Sequence, residues 1–120
     1  MKNLSQKSKS LLPLNPDVFT ILLVLLDSDC HGFQIIKIAR DRTGRRGQLQ
    51  PGGLYRLLKK MLEAKLIEEL ESNEVPENTD KRRRYYRITS HGREVAAAEA
   101  RRMADLVQIS RRHDLLLNES

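Results

Sequence analysis

The longest apolar run of the chain, from Val18 to Leu26, is the feature that most restricts the fold. It is interrupted only by Thr20. At about ten residues it is roughly half the ~20 residues that a membrane-spanning helix requires. Asn15, Pro16 and Asp17 precede it as an N-cap, a first-turn proline and a favourable charge at the positive end of the helix dipole. The run therefore predicts the central buried helix of a small domain.

Length and composition agree with one compact domain. The chain has 120 residues, of which 39% are hydrophobic and 32% charged, and this is enough apolar material for one core. The first 17 residues lack the continuous apolar stretch of a signal peptide. The single cysteine, Cys30, cannot form an internal disulfide, and its spacing from the three histidines does not fit a zinc site. We expect a soluble cytoplasmic domain without metal or cofactor, in which Cys30 is a small buried hydrophobe rather than a redox sensor.

Charge is segregated into blocks along the chain. The net charge is +6 and the isoelectric point is near 9.8. Residues 37–65 carry nine basic and two acidic side chains, residues 66–80 carry six acidic and no basic ones, and residues 81–93 carry six basic and no acidic ones. Because a merely soluble surface mixes its signs, the two positive blocks indicate a polyanionic partner. Nucleic acid is the first candidate for this partner, and an anionic membrane surface is the second.

Hydrophobic periodicity predicts three helices, a hairpin and a final helix. After the first helix, the pattern favours helices from about Gly32 to Arg42 and from Pro51 to about Ala64. Ile67–Glu71 and part of Lys81–Thr89 read as two strands, and Ser90 caps the last helix. In the second helix the predicted inward residues are Phe33, Ile35, Ile36, Ile38 and Ala39, and in the third they are Leu54, Leu57, Leu58, Met61 and Leu62. In the second strand, Tyr86 and Ile88 are predicted on one face, and Tyr85 and Arg87 on the other.

This order of elements defines a fold class that is mainly α with a two-stranded β-hairpin. It is the order of a winged helix-turn-helix followed by a C-terminal helix, with the third helix in the major groove and the hairpin tip on the DNA backbone or in the minor groove. The predicted domains are a flexible basic arm over 1–14, a winged helix-turn-helix domain over 15–89 and a C-terminal dimerisation helix over 90–120.

The start of the third helix carries the most specific detail. Gly52 and Gly53 lie in its first turn, where each costs about 1 kcal/mol relative to alanine. Glycines there let the backbone approach a partner closely and leave N–H groups for an anion such as phosphate. Tyr55 is suited to donate its hydroxyl to a phosphate. Three side chains are predicted to reach base edges, because amides and arginine can pair with them: Gln48, Gln50 and Arg56. Gln50 alternatively caps the helix.

The predicted DNA-binding residues extend this helix start along both basic blocks. The full set is Arg45, Arg46, Gln48, Gln50, Gly52, Gly53, Tyr55, Arg56, Lys59, Lys60, Lys81, Arg82 and Arg83. The alternative for Lys81 to Arg84 is a solubilising hairpin tip, in part paired with the acidic strand from Glu68 to Glu71. Tyr85 and Tyr86 are interpreted as packing residues in preference to base-stacking residues. His31 is interpreted as a cap or packing residue.

Apolar residues on the last helix predict contact with a second copy of the chain. The dimer set is Ala96, Ala100, Met103, Leu106, Val107, Leu115 and Leu116. In such a dimer the first and last helices could enclose an apolar space for a small-molecule effector. That space would be lined by Phe19, Leu22 and Leu23, together with Met103 and Val107.

Three strings of the sequence resemble the PadR family of bacterial transcriptional regulators. They are HGFQIIK from His31, LQPGGLYRLLKKMLEAKLIE from Leu49 and RRRYYRITSHG from Arg82, and the likeness covers roughly residues 18–117. The resemblance implies a winged helix that dimerises through its C-terminal helix and represses by binding an inverted repeat near a promoter. In some members a small molecule releases the DNA.

The chain departs from the family pattern at several positions. Gly53 stands where serine or threonine is common, Arg56 often has proline as its counterpart, and Phe33 replaces a tyrosine. Lys65 stands where a glycine usually ends the helix, so this turn must avoid or strain a positive φ. The chain has no tryptophan, so a drug pocket built on stacked tryptophans has no basis here.

The leading functional hypothesis is a dimeric, sequence-specific DNA-binding repressor. The alternatives are an RNA-associated winged helix, disfavoured because the major groove of A-form RNA admits side chains poorly, and a protein-interaction module. An enzyme is not expected, because the sequence offers no paired nucleophile and base and no phosphate-binding glycine loop after a strand.

Overall fold

Four helices and a small antiparallel sheet make up the described part of the chain. The computed structural model describes residues 11–43, 50–75 and 83–116. In chain order the elements are α1 (Pro16–Asp27), β1 (Cys30–His31), α2 (Gly32–Thr43), α3 (Pro51–Glu63), β2 (Ile67–Glu69), a 3₁₀ turn (Ser72–Glu74), β3 (Tyr85–Ile88) and α4 (Ser90–Arg112). The expected fold class, a mainly helical winged helix-turn-helix with a further C-terminal helix, is confirmed.

The sheet has three strands rather than the two predicted. β3 lies in the middle and pairs antiparallel with both neighbours, with Cys30 opposite Tyr86 on one side and Ile67 opposite Ile88 on the other. The extra strand β1 is two residues long, too short for any alternation to appear in the sequence. It fixes the start of α2 against the strand that leads out of the wing.

Helix α1 is the buried centre of the fold, as the apolar run predicts. The Asn15 side chain accepts hydrogen bonds from the backbone N–H of Asp17 and of Val18, at 2.8 and 3.3 Å, so it is the expected N-cap. The buried residues of the helix are Val18, Ile21, Leu22, Val24 and Leu25. Leu54, Leu58 and Met61 of α3 pack into the same core.

One side chain of α2, Phe33, lies differently from the prediction, whereas the two tyrosines of β3 pack as interpreted. Phe33 was expected to face inward but is 67% exposed, because it precedes the apolar stripe that Ile35 and Ile36 begin. Tyr85 and Tyr86, neighbours in the central strand β3, are both buried, so both faces of the sheet are covered at this point. The His31 ring covers Tyr85 edge-on, with the ring centroids 5.2 Å apart, so both tyrosines are packing residues.

The segment before α1 is fixed to α4, so its last residues do not belong to a flexible arm. Leu14 is buried and its backbone N–H donates to Glu99 Oε2 at 2.8 Å. Glu99 is fully buried and is also hydrogen-bonded and ion-paired with Arg102. These bonds, that of Arg102 first, lower the pKa of Glu99, because they stabilise its charged form. The remainder of the predicted arm, residues 1–10, lies outside the described residues.

The turn after α3 adopts a left-handed backbone conformation at Lys65, and this conformation is costly for a residue other than glycine. Lys65 has φ 64°, the left-handed region that favours glycine. The backbone N–H of Leu66 donates to Met61 O at 2.9 Å and that of Lys65 to Leu62 O at 3.1 Å, the pair of bonds that defines a Schellman motif. The helix end is therefore satisfied at the cost of a strained lysine.

Replacing Lys65 with glycine is expected to raise the free energy of unfolding by about 1 kcal/mol, because the left-handed conformation costs an L-residue roughly that much. Urea unfolding of both proteins measures the difference. Lys65→Ala is the matched control. It removes the same side chain but keeps the Cβ, so it should gain almost nothing, and an equal gain in both variants would contradict strain at this position.

Candidate nucleic-acid interface

The start of α3 presents backbone and cationic side chains to solvent. Gln50 is the N-cap residue, as the alternative interpretation expects, with an extended backbone and without a capping hydrogen bond from its side chain. Pro51 and Gly52 are exposed and Gly53 is half-buried. A Cβ added at Gly52 or Gly53 would meet no atom within 4 Å. Packing among the described residues therefore does not require either glycine.

The outer face of α3 carries the predicted aromatic and basic side chains. Tyr55 is 55% exposed, and Arg56, Lys59 and Lys60 are exposed as well. The opposite face holds Leu54, Leu58 and Met61 in the core. The helix is thus anchored by one face and leaves a positive ridge on the other, the arrangement that suits insertion into a groove lined by phosphates.

Acidic residues anchor the base of the wing through Arg87. Its guanidinium donates to Asp29 at 3.2 Å and to Glu74 at 2.9 Å. The charge pattern of the sequence assigned no specific contact to this arginine. A hydrogen bond to the Glu71 backbone and the Arg87 guanidinium lower the pKa of Glu74. The same carboxylates raise the pKa of Arg87. Arg87 is therefore committed to joining the wing to the turn after α1.

The other described arginines of the wing are exposed. Arg84 Nε lies 3.5 Å from Glu69 Oε1, so the alternative in which a wing arginine pairs with the acidic strand holds for this residue. Arg83 Cζ lies 5.6 Å from the centroid of the Phe33 ring. The remaining predicted contacts lie outside the described residues: Arg45, Arg46, Gln48, Lys81 and Arg82.

A second surface is apolar and lies at the far end of α4. Leu106 is 51% exposed and Val107 42%, Ala100 and Leu115 are exposed, and Met103 and Leu116 are half-buried. Two predicted residues are corrected. Ala96 packs in the core of its own chain and Leu22 has no exposed surface, because α1 and α4 already cover them, so neither is available to a partner or an effector. Ile109, which the predicted dimer set omits, is exposed as well, and so is Leu26 at the end of the apolar run of α1.

The described residues hold no group of three or more histidine, cysteine or acidic side chains placed to bind a metal ion. None of the helices in the described ranges is both long and apolar enough to cross a membrane. Cys30 is buried, and burial raises the pKa of its thiol, as the interpretation of a packing residue implies.

The anchored helix with an open, basic outer face, followed by a three-stranded wing, places the chain in the class of winged helix-turn-helix proteins. The model of the transcriptional regulator PadR-like family matches residues 21–98, more than half of the chain. The chain belongs to this family of transcriptional regulators.

Solved structures of transcriptional regulators, two of them from the same family, have the same fold. A PadR family transcription regulator from Clostridium difficile is 25% identical with a TM-score of 0.68, over 82% of this chain and 98% of that one. A PadR-like transcriptional regulator from Bacillus cereus is 23% identical with a TM-score of 0.65, over 97% and 100%. A transcriptional regulator from Clostridium thermocellum is 20% identical with a TM-score of 0.64, over 92% and 97%. No curated protein matches the chain.

Proposed function

We propose that this chain is a repressor that binds an inverted-repeat operator as a homodimer and reads it with α3. The observation that carries the proposal is the open space beside the two glycines at the start of α3: a Cβ added at Gly52 or Gly53 would meet no atom of the other described segments within 4 Å. Two helix-weakening residues on an exposed, basic helix serve no internal purpose. Close approach to a phosphate backbone accounts for both.

The apolar end of α4 supplies the surface for the second copy. Within the described residues, nothing on α4 after Glu99 is buried, although Leu106, Val107 and Ile109 are large and apolar. A stripe of this kind on a helix that projects from its own core suits an isologous contact with an identical stripe. A two-fold dimer would place two copies of α3 on half-sites about one helical turn, roughly 10 bp, or a multiple apart.

A small hydrophobic effector would fit between α1 and the dimerisation helices. Phe19 is half-buried and Leu23 is 41% exposed at the surface of α1, and Met103 and Val107 lie on α4. An effector that binds one arrangement of the two copies more tightly than the other would shift the spacing of the two α3 helices.

Selection of bound duplexes from a random pool tests the proposed function. We expect a two-fold-symmetric consensus. Since phosphate contacts dominate such affinities, binding should weaken by about 10³–10⁵-fold between 50 and 200 mM salt if ~6–10 phosphates are neutralised. Filter binding on the selected duplex, a scrambled duplex and a duplex RNA of the same sequence measures specificity and nucleic-acid type together. Equal affinity for selected and scrambled duplexes would exclude a specific repressor, and preference for RNA would favour the RNA-associated alternative.

Two variants test whether α3 makes the contact with DNA. The charge-reversed Arg56→Glu, Lys59→Glu protein should lose DNA binding while it remains folded, because both side chains are exposed. Gly52→Ala should weaken DNA binding and slightly raise stability, since alanine favours the helix. DNA binding unaffected by all three changes would show that α3 does not contact the duplex.

A further inference from the structure

A cleft of about 470 Å³ lies where the start of α2, α3 and the residues leading into β3 meet. Its lining residues are His31, Gly32, Phe33, Tyr55, Arg83 and Arg84. Among the described residues this lining includes two guanidinium groups and no carboxylate, although Glu69 lies near Arg84 from outside. The cleft therefore suits an anionic occupant. Of its residues, only Tyr55 and Arg83 belong to the DNA contacts predicted from the sequence.

Two exposed aromatic rings give the cleft an apolar side as well. Phe33 and Tyr55 are 67% and 55% exposed, and the Arg83 guanidinium lies over the Phe33 ring at 5.6 Å. A cation held against an aromatic face keeps part of its donor capacity for a ligand while the ring limits its orientation. Arginine and aromatic side chains together suit an occupant that is charged in one part and apolar in the next.

The backbone at Gly32 brings the Tyr55 hydroxyl to the start of α2. A Cβ at Gly32 would lie 3.2 Å from Tyr55 Oη and 3.3 Å from Leu54 Cδ2, a crowded distance, so glycine allows this approach. His31, which also lines the cleft, accepts at Nδ1 a hydrogen bond from the backbone N–H of Gln34 at 3.3 Å. Arg83 Nη1 lies 3.5 Å from both nitrogens of that ring.

We propose that this cleft binds one segment of the sugar-phosphate backbone beside the groove that α3 enters. Arg83 and the Tyr55 hydroxyl contact the phosphate, and the Phe33 ring packs on the adjoining deoxyribose. The proposal rests on the DNA binding proposed above and adds the start of α2 to the interface. A continuous polyanion is favoured over a small free anion because Tyr55 belongs to α3 and Arg83 to the wing, so an occupant of the cleft must pass between two DNA-contacting elements.

Substitution of Arg83 and Phe33 in the full chain tests the proposal. Arg83→Ala should lower the affinity about tenfold for selected and scrambled duplexes alike, and should reduce the slope of log K against log salt by about 1 per protomer, because one phosphate contact is lost. Phe33→Ala should lower the affinity several-fold with the slope unchanged, since the ring carries no charge. Tyr55→Phe should lower it to a similar extent on both duplexes.

Arg93→Ala is the matched control, because Arg93 is an exposed arginine on α4 outside the cleft; it should leave affinity and slope unchanged. Thermal unfolding of each variant verifies that the fold is retained. Wild-type affinity and slope in Arg83→Ala would overturn the cleft proposal while the selected consensus leaves the repressor function standing. A loss of affinity confined to the selected duplex would indicate that Arg83 contacts a base, and this result would also overturn the cleft proposal. A wild-type protein that binds no duplex would refute the proposed function itself.

Discussion

Glutamate at both Leu106 and Val107 is expected to convert the proposed dimer into monomers and to lower the affinity for a two-half-site duplex by about 10²–10⁴-fold. The fall reflects the loss of bivalency, since the second half-site is no longer bound at a high effective concentration. Both side chains are about half exposed in the single chain, so glutamate there does not disturb the core. In a dimer it would bring like charges together in an apolar contact.

Sedimentation equilibrium measures the oligomeric state, and filter binding on duplexes with one or two half-sites measures the bivalent gain. Affinity for the single half-site should change little. Gln108→Glu is the control, because it adds a negative charge at an exposed position on the other side of the same helix. A variant that stays dimeric would place the interface elsewhere, and a monomer with undiminished affinity for two half-sites would show that DNA binding does not need the dimer.

Local sequence features predicted the elements whose determinants are local. The apolar run, the Asn15 cap and the stripe of Leu54, Leu58 and Met61 are each contained within one helix, and each is confirmed. The strain at Lys65 was also foreseeable, because a Schellman turn requires a left-handed residue at that position whatever the rest of the fold does.

Features that depend on contacts between distant segments could not be predicted in this way. Glu99 looks like a surface residue of an amphipathic helix, but it is fully buried and accepts a hydrogen bond from Leu14, 85 positions earlier. The position of Arg83 beside the exposed Phe33 ring depends on β1, whose pairing with β3 brings the two segments together. The glycines of α3 were visible in the sequence, whereas the cleft depends on the register of a two-residue strand.

The junction between the turn after α3 and the start of α4 depends on one residue, Gly92. A Cβ there would lie 2.1 Å from the carbonyl oxygen of Leu66 and 2.8 Å from Ile88 Cγ1. The same carbonyl accepts the backbone N–H of Thr89 at 3.0 Å. Thr89, rather than the predicted Ser90, is the N-cap of α4: its hydroxyl accepts from the Gly92 N–H at 2.9 Å and donates to Lys65 O at 2.6 Å. Because backbone atoms crowd the position, a side chain cannot be accommodated by a rotamer change.

Gly92→Ala is therefore expected to lower the free energy of unfolding by about 3 kcal/mol, the upper end of the usual cost of overpacking. At ~4 °C per kcal/mol for a chain of this size, the unfolding midpoint should fall by about 12 °C, which calorimetry measures. Gly52→Ala is the control, because the same methyl group there meets open space and should cost nothing. Equal midpoints for the two variants would mean that α4 does not pack on the Leu66 carbonyl. The position of the dimer surface relative to α3 would then rest on the remaining contacts between α1 and α4.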